Sequence, residues 1–268
     1  MARNIASAGF ALTVFDLNPA PLHEMARHGA RVAASLADVA HAAECIGVCV
    51  RDDAQVHQVL TGETGVLHAA APGTVVAVHS TIRPRTVVAL AAAGAARDVH
   101  VLDVPITGGA HGAEARTLCY MAAGDADAIE RCRPVFATSA SHVVLTGGLG
   151  SGMATKLANN LMMYLGFVAA FEATRLAVRA GIAEDVLTAV TQANGVLTRP
   201  MLAYLGLLKL IDASPQDAAL RQQLERFTDL ADKDLAITLE YAAELGVTLP
   251  AAAACRQLMP RVYGLSGS

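Results

Sequence analysis

The sequence predicts a doubly wound α/β domain over residues 1–149, followed by an all-helical domain over residues 150–268. Three observations carry that prediction. Short apolar strands alternate with helical stretches through the first half, the pattern of a largely parallel sheet covered on both faces. A glycine-rich turn, Gly147-Gly148-Leu149-Gly150-Ser151-Gly152, ends the strand signal. Beyond it the apolar residues recur with a helical period alone.

In chain order, residues 1–9 read as the end of an amphipathic helix stopped at Gly9, and 11–15 as a strand closed by Asp16. Further strands are expected at 31–33, 45–50, 75–78, 99–103, 118–123 and 142–145. The helices between them fall at 21–28, at 35–43 with Ser35 as cap, and at 53–60, 84–96 and 126–137. After the glycine turn a long helix covers 151–180 and stops at Gly181, a natural place for a left-handed residue. Shorter helices follow at 184–193, 199–209, 217–229, 233–245 and 251–262.

A chain of 268 residues with 54% hydrophobic and 16% charged residues is long and apolar enough to bury two cores. Its net charge of −4 and 4% aromatic content supply neither a basic surface nor stacking platforms, so nucleic acid is not an expected partner. Five cysteines without a CxxC pair read as reduced, mostly core thiols of a cytoplasmic protein, with no disulfide frame. The nine histidines are scattered, and His23 and His28 lie five apart rather than the four of a zinc helix, so no metal is expected. The longest apolar run, 161–171, is about half of what a membrane span needs and reads as a buried helix. The opening Met1-Ala2-Arg3-Asn4 has one basic residue and leads into a short Gly-interrupted apolar stretch, unlike a signal peptide.

The densest chemistry sits where the glycine turn enters the long helix. Lys156 and Asn160 are four apart, so an amine and an amide project from one helix face beside backbone that the glycines leave uncovered. The bland alternative is a solvated cation, yet a helix's first turn favours acids over bases.

Gly150-Ser151-Gly152-x-x-x-Lys156-Leu157-x-Asn159-Asn160 resembles the catalytic signature of the β-hydroxyacid dehydrogenase family, of the 3-hydroxyisobutyrate dehydrogenase and tartronate semialdehyde reductase type. Asp103-Val104-Pro105-Ile106-Thr107-Gly108-Gly109, followed by Gly112-Ala113-Glu114-Ala115-x-Thr117-Leu118, resembles that family's substrate-side motif. The resemblance implies that Thr107, Gly108 and Gly109 hold a substrate carboxylate, at the carboxyl edge where open α/β sheets bind ligands. Thr107 stands where many members have Ser, and its extra methyl narrows the pocket.

The segment 1–16 resembles the family stretch that follows its Gly-x-Gly-x-x-Gly loop. Asp16 would then accept hydrogen bonds from the adenosine ribose, favouring NAD over NADP; by itself it also suits a turn before Asn18-Pro19. Family members begin with a strand and the glycine loop that holds the pyrophosphate, so the resemblance implies a Rossmann-type fold short of its N-terminal part. A start codon assigned too far downstream or a trimmed chain is expected rather than a deletion, which would remove a central strand and leave unpaired ladder groups. His79-Ser80-Thr81-Ile82-Arg83-Pro84 resembles the segment whose threonine lies on the nicotinamide side, although hydroxyls before Pro84 also suit a helix cap. Cys49-Val50-Arg51-Asp52-Asp53 resembles the next cofactor-side loop, and an Asp cap explains it equally well. Lys233-Asp234-Leu235, read at a helix start, resembles the family's late lysine that closes over the cofactor; a surface charge pair is the alternative.

Together these imply hydride exchange between NAD and a small β-hydroxyacid, with Lys156 as general acid and base and Asn160 orienting the substrate or the lysine. Base catalysis near neutrality requires burial to lower the lysine from its ordinary ~10.4. Imine reductases, which usually lack this lysine, and a cofactor-deficient binding or scaffolding remnant are the competing readings. The greasy helical half implies a homodimer or homotetramer.

Overall fold

The computed structural model describes residues 1–214 and 216–265; the last residues of the expected second domain, 266–268, lie outside the described residues. The chain divides into two compact units, Met1–Lys156 and Leu157–Ser268. In the first, the order is α1 (Ala2–Ser7), β1 (Thr13–Val14), α2 (Pro19–Arg27), β2 (Arg31–Val32), α3 (Leu36–Ala42), β3 (Cys45–Val48), α4 (Asp53–Thr61), α5 (Val66–Ala69), β4 (Val75–Val78), α6 (Pro84–Ala95), β5 (His100–Asp103), β6 (Ile106–Thr107), α7 (Gly109–Glu114), β7 (Leu118–Ala123), α8 (Ala126–Phe136) and β8 (Ala140–Gly147). Helix α9 (Ser151–Arg179) starts there and runs into the second unit, followed by α10 (Glu184–Ala193), α11 (Arg199–Ala213), α12 (Ala218–Glu244) and α13 (Pro250–Val262).

Side-chain caps set four helix starts in the α/β unit, those of α2, α3, α4 and α8. The Asn18 side chain accepts from the Ala20 amide and Pro19 follows at the first helical position, so α2 begins earlier than expected. Ser35, Asp52 and Asp125 accept from the amides of Asp38, Gln55 and Ala128 at 3.1, 2.9 and 2.8 Å. Each satisfies one of the orphan donors of a helix's first turn.

The strands form two sheets: β1 with β2, parallel, and a six-stranded sheet in the order β3-β4-β5-β7-β6, with β8 also on β7. Strands β3, β4 and β5 are parallel, as expected, but β7 pairs antiparallel with both β5 and β6. With β7 and β8 also parallel, three of the five strand pairings are parallel, so the sheet is largely parallel as expected, with one antiparallel return at β7 for a reason that starts at Pro105. Proline lacks an N–H and breaks the ladder between β5 and β6, while its carbonyl still accepts from Met121 at 3.0 Å. Gly108 and Gly109, at φ +123° and +63°, then reverse the chain through α7 into β7.

Strand β4 is buried along its whole length. Val76 and Val78 join one core with Ile46, Leu60, Ile82 and Leu90, whereas Val75 and Ala77 join another with Leu102, Tyr120, Cys132 and Phe136. This two-sided burial gives β4 a continuous apolar run instead of an alternating one.

The second unit is helical among its described residues. Tyr164, Phe167 and Ala170 project a stripe from α9 into a core shared with Tyr204, Leu224, Leu235, Met259 and Tyr263. Phe167 stacks on Tyr204 at 4.9 Å between ring centres. The expected helices 217–229 and 233–245 are one, α12. No Gly or Pro interrupts 230–232, and Ala231 continues the buried face between Leu224 and Leu235.

The apolar helix α9 is less buried than its composition suggested. By length and composition alone it is long enough to cross a membrane, and 22% of its most apolar window is buried. Met162 and Leu176 are 77% and 73% exposed, because only the inward stripe meets a core.

Helix α6 crosses β5 so closely that a Cβ on Gly94 would lie 2.7 Å from both Val101 Cγ2 and the Val99 carbonyl oxygen. Gly94→Ala in an open helix would stabilise by about 1 kcal/mol. Here overpacking reverses the sign, and urea unfolding is expected to show a loss of about 1–3 kcal/mol.

Candidate active site

Strand β5 delivers Asp103 to the start of α9. Its side chain is fully buried, and Oδ2 accepts from the amides of Gly150 at 3.0 Å and Met153 at 3.1 Å. A carboxylate suits this place because the first turn of a helix has orphan N–H groups and partial positive charge. The glycines follow from the approach. A Cβ on Gly152 would lie 2.8 Å from Asp103 Oδ1 and from the Met121 carbonyl oxygen, and Gly150 sits at φ +90°. Burial pushes the Asp103 carboxyl up to about 6 against the opposing pull of the Met153, Gly150 and Gly152 amides. The sequence reading placed Asp103 inside a motif without giving it this role; its signal was an acid ending an apolar strand.

Lys156 lies on α9, just beyond this clamp, and is 9% exposed. Its charge is near enough to lower the Cys119 thiol, which burial raises. Cys119 in turn faces Thr107 across the β6–β7 ladder. Lys156 is therefore buried rather than in open solvent, and its charge reaches the strand that pairs with β6.

Thr107 is half-buried and closes β6, and Gly108 and Gly109 are exposed beside it. Gly108 is also the N-cap of α7, and a Cβ there would come within 2.9 Å of Leu118 Cδ2. Glycine is required for the turn whatever else binds there.

Asn160, one turn beyond Lys156, is buried and held from α12. Its Nδ2 donates to Asp234 Oδ2 at 2.7 Å, Tyr164 donates to the same oxygen at 3.2 Å, and Lys233 Nζ lies 2.9 Å from Oδ1. Burial, with Asp234 next, raises the Tyr164 phenol far above its usual value. Lys233 is therefore neither at a helix start nor in a surface pair: it lies inside α12, with its side chain 19% and that of Asp234 2% exposed. Asp234 is the residue that motif reading passed over. Its spacing from Ala231, Leu235 and Thr238 puts it on the buried face of α12, where an acid needs partners.

On the dinucleotide side, Asp16 is exposed just after β1 and accepts from the Asn18 amide at 2.8 Å, the turn geometry. Thr81 is half-buried in the segment after β4. The N-cap of α6 is Arg83, which makes no side-chain cap bond, and Pro84 takes the first helical position. Asp53 braces this start, accepting from the Arg83 amide at 3.1 Å and the Thr86 hydroxyl at 2.6 Å, and pairing with the Arg83 guanidinium at 3.1 Å. Ser80 instead accepts from the Val50 amide at 2.8 Å, tying the segments after β3 and β4 together. An exposed carboxylate following one parallel strand and a hydroxyl following another fit the ribose and nicotinamide ends of a dinucleotide.

Beneath Thr81, His79 Nδ1 donates to the Val104 carbonyl at 2.7 Å, and its ring meets Tyr120 edge-on. Burial lowers this imidazole to about 4, with the Val104 bond opposing, so it is neutral near pH 7.

Two family models match the chain: the NAD binding domain of 6-phosphogluconate dehydrogenase over residues 1–148, and the NAD-binding domain of NADP-dependent 3-hydroxyisobutyrate dehydrogenase over 150–266. An uncharacterised oxidoreductase of Mycobacterium tuberculosis is 34% identical over 99% of this chain and 89% of its own length. The 2-hydroxy-3-oxopropionate reductase of Escherichia coli is 31% identical, covering 100% of this chain and 88% of that protein. Among solved structures, 3-hydroxyisobutyrate dehydrogenase from Salmonella typhimurium superposes with a TM-score of 0.84 at 31% identity, over 97% of this chain and 88% of that one.

Asp103 and His79 make opposite contributions to stability against pH. The native Asp103 value near 6 exceeds its ordinary 3.8, so its contribution is present below about pH 4 and is lost as pH rises through about 6. The native His79 value near 4 lies below its ordinary 6.5, so its contribution is present above about pH 6.5 and is lost as pH falls through 4. Each shift corresponds to roughly 3 kcal/mol, and the two slopes offset each other between pH 4 and 6. Asp103→Asn is expected to unmask the His79 slope, so that urea-unfolding stability rises more steeply with pH across this window than in the native protein. An unchanged slope would contradict the assignment.

Proposed function

This chain belongs to the β-hydroxyacid dehydrogenase family, and from that premise we propose that it exchanges a hydride between NAD and a small β-hydroxyacid, with Lys156 as general acid and base. It is an oxidoreductase of the hydroxyacid dehydrogenase type with dinucleotide-binding domains. The observation that carries the reading is the setting of Lys156: buried, on a helix whose start is clamped by Asp103, with its charge acting on Cys119, the residue paired with Thr107. The substrates named for its relatives, 3-hydroxyisobutyrate and 2-hydroxy-3-oxopropionate, support the class.

In this reading the bound dinucleotide supplies a nicotinamide that takes or gives the hydride. The protein binds, orients and moves a proton. Thr107, with the exposed backbone of Gly108 and Gly109, holds the substrate carboxylate. Lys156 takes the hydroxyl proton in oxidation and returns it to the carbonyl oxygen in reduction. Asn160, tethered by Asp234, presents its remaining amide hydrogen to orient the substrate or the lysine. Asp16 receives the adenosine ribose and disfavours a 2′-phosphate by like charge, which supports NAD over NADP. Thr81 lies toward the nicotinamide, and Lys233 closes over the cofactor. The working division remains a dinucleotide domain at 1–149 and a substrate and oligomerisation domain at 150–268.

Lys156→Ala is expected to lower kcat by about 10²–10⁴, with an unchanged circular dichroism spectrum. Near-native turnover in a folded variant would end the assignment.

Met162, Leu176, Val186 and Val190, between 52% and 77% exposed, leave large apolar side chains bare on the helical unit, of the kind that association buries. They support a homodimer or homotetramer. Light scattering is expected to return two or four subunit masses, and a single mass would contradict this.

A further inference from the structure

Cys45 opens β3 and Cys132 lies on α8, 87 residues away in sequence, yet their sulfurs are 2.7 Å apart. That is closer than two thiols in ordinary contact. Cys132 is fully buried in the core with Ile129 and Phe136, while Cys45 is half-buried. Arg131 precedes Cys132 and is held by a 2.8 Å hydrogen bond to the Gly73 carbonyl, close to Val75, which pairs with Cys45 across the β3–β4 ladder. The elements that carry both sulfurs are thus fixed from two sides.

We propose that Cys45 and Cys132 are a reversible disulfide site, oxidised by exchange with a low-molecular-weight thiol disulfide such as glutathione disulfide. This does not depend on the reaction assigned above.

The two thiols are unequal. The hydrogen bond from Cys132, and then the Arg131 charge, hold Cys45 below its usual value, although burial opposes them. Cys132, donating that bond from the interior, is raised. Cys45 is both the better thiolate and the more accessible one, so it attacks first. Its sulfur bonds to one sulfur of the incoming disulfide, the S–S bond of the reagent breaks, and the leaving thiolate takes up the proton that Cys45 lost. Cys132 then gives up its proton and attacks the Cys45 sulfur, expelling the second thiolate, which that proton neutralises. Two protein thiols are oxidised to one disulfide, and one reagent disulfide is reduced to two thiols.

The site lies at the amino end of β3. The candidate catalytic groups lie elsewhere: Asp103 ends β5, and the Thr81 segment follows the other end of β4. Oxidation therefore joins strand to helix beneath the sheet, away from the reacting end. It closes a long loop, which restricts the unfolded chain more than the folded one. The expected result is a higher unfolding midpoint, by about 5–10 °C, with kcat unchanged.

The test uses the whole chain, reduced and then equilibrated with glutathione disulfide, quenched, alkylated under denaturing conditions and mapped by mass spectrometry. A Cys45–Cys132 cross-linked peptide is expected, with free thiols falling from five to three and returning on addition of excess reduced glutathione. Cys132→Ala is expected to trap a stable glutathione adduct on Cys45, and Cys45→Ser to leave Cys132 unmodified. The proposal is overturned if all five thiols alkylate after equilibration, or if wild-type Cys45 retains a glutathione adduct without closing on Cys132. Neither outcome depends on a variant that folds.

Discussion

The Asp103 carboxylate, buried at the end of β5, grips the amides that open α9, and the rest of the candidate site is arranged from that grip. Without a partner those amides would be orphaned inside the protein, and the carboxylate would be a bare buried charge. The amides gain an acceptor, and their bonds offset only part of the carboxylate's burial cost, so its value stays raised, to about 6. The geometry this demands excludes any side chain at Gly152 and requires a left-handed residue at Gly150. A glycine turn of the kind that elsewhere exposes backbone to a ligand here admits a carboxylate from the neighbouring strand. Lys156 inherits its direction from the clamp, because the first helical residues fix the azimuth of those that follow.

A second anchor stands one turn further along the same helix. Asn160, Tyr164 and Lys233 converge on the Asp234 carboxylate, which ties α9 to α12 inside the helical unit. Both anchors are acids buried among donors, and in both the acid belongs to a different element from the groups it organises. Such an arrangement is costly to break, since removing either carboxylate strands several donors at once. It also means that Lys156 and Asn160 are oriented by residues that need not touch a substrate.

The sheet supplies the frame for the first anchor. Strand β4, buried on both faces, sits between β3 and β5, so the parallel strands that end near Thr81 and Asp103 are held in register by the most apolar part of the unit. The reversal at Pro105, Gly108 and Gly109 then brings β7 back beside β5 and sets Cys119 opposite Thr107. A fully parallel continuation would have carried Thr107 away from β7.

Local pattern determined a good deal of this protein. The strand and helix alternation, the caps at Ser35 and Asp52, the long helix after the glycine turn, and the pairing of Lys156 with Asn160 all depend on residues within a few positions of one another, where spacing alone conveys geometry. The family signature was legible because it is contiguous. Tertiary structure alone decided which acids act as anchors: Asp103 and Asp53 reach helices that begin dozens of residues later, and Asp234 reaches back to Asn160. It decided the antiparallel return of β7 and the meeting of Cys45 with Cys132. Each of these rests on contacts between segments distant along the chain, whose partners no local period encodes.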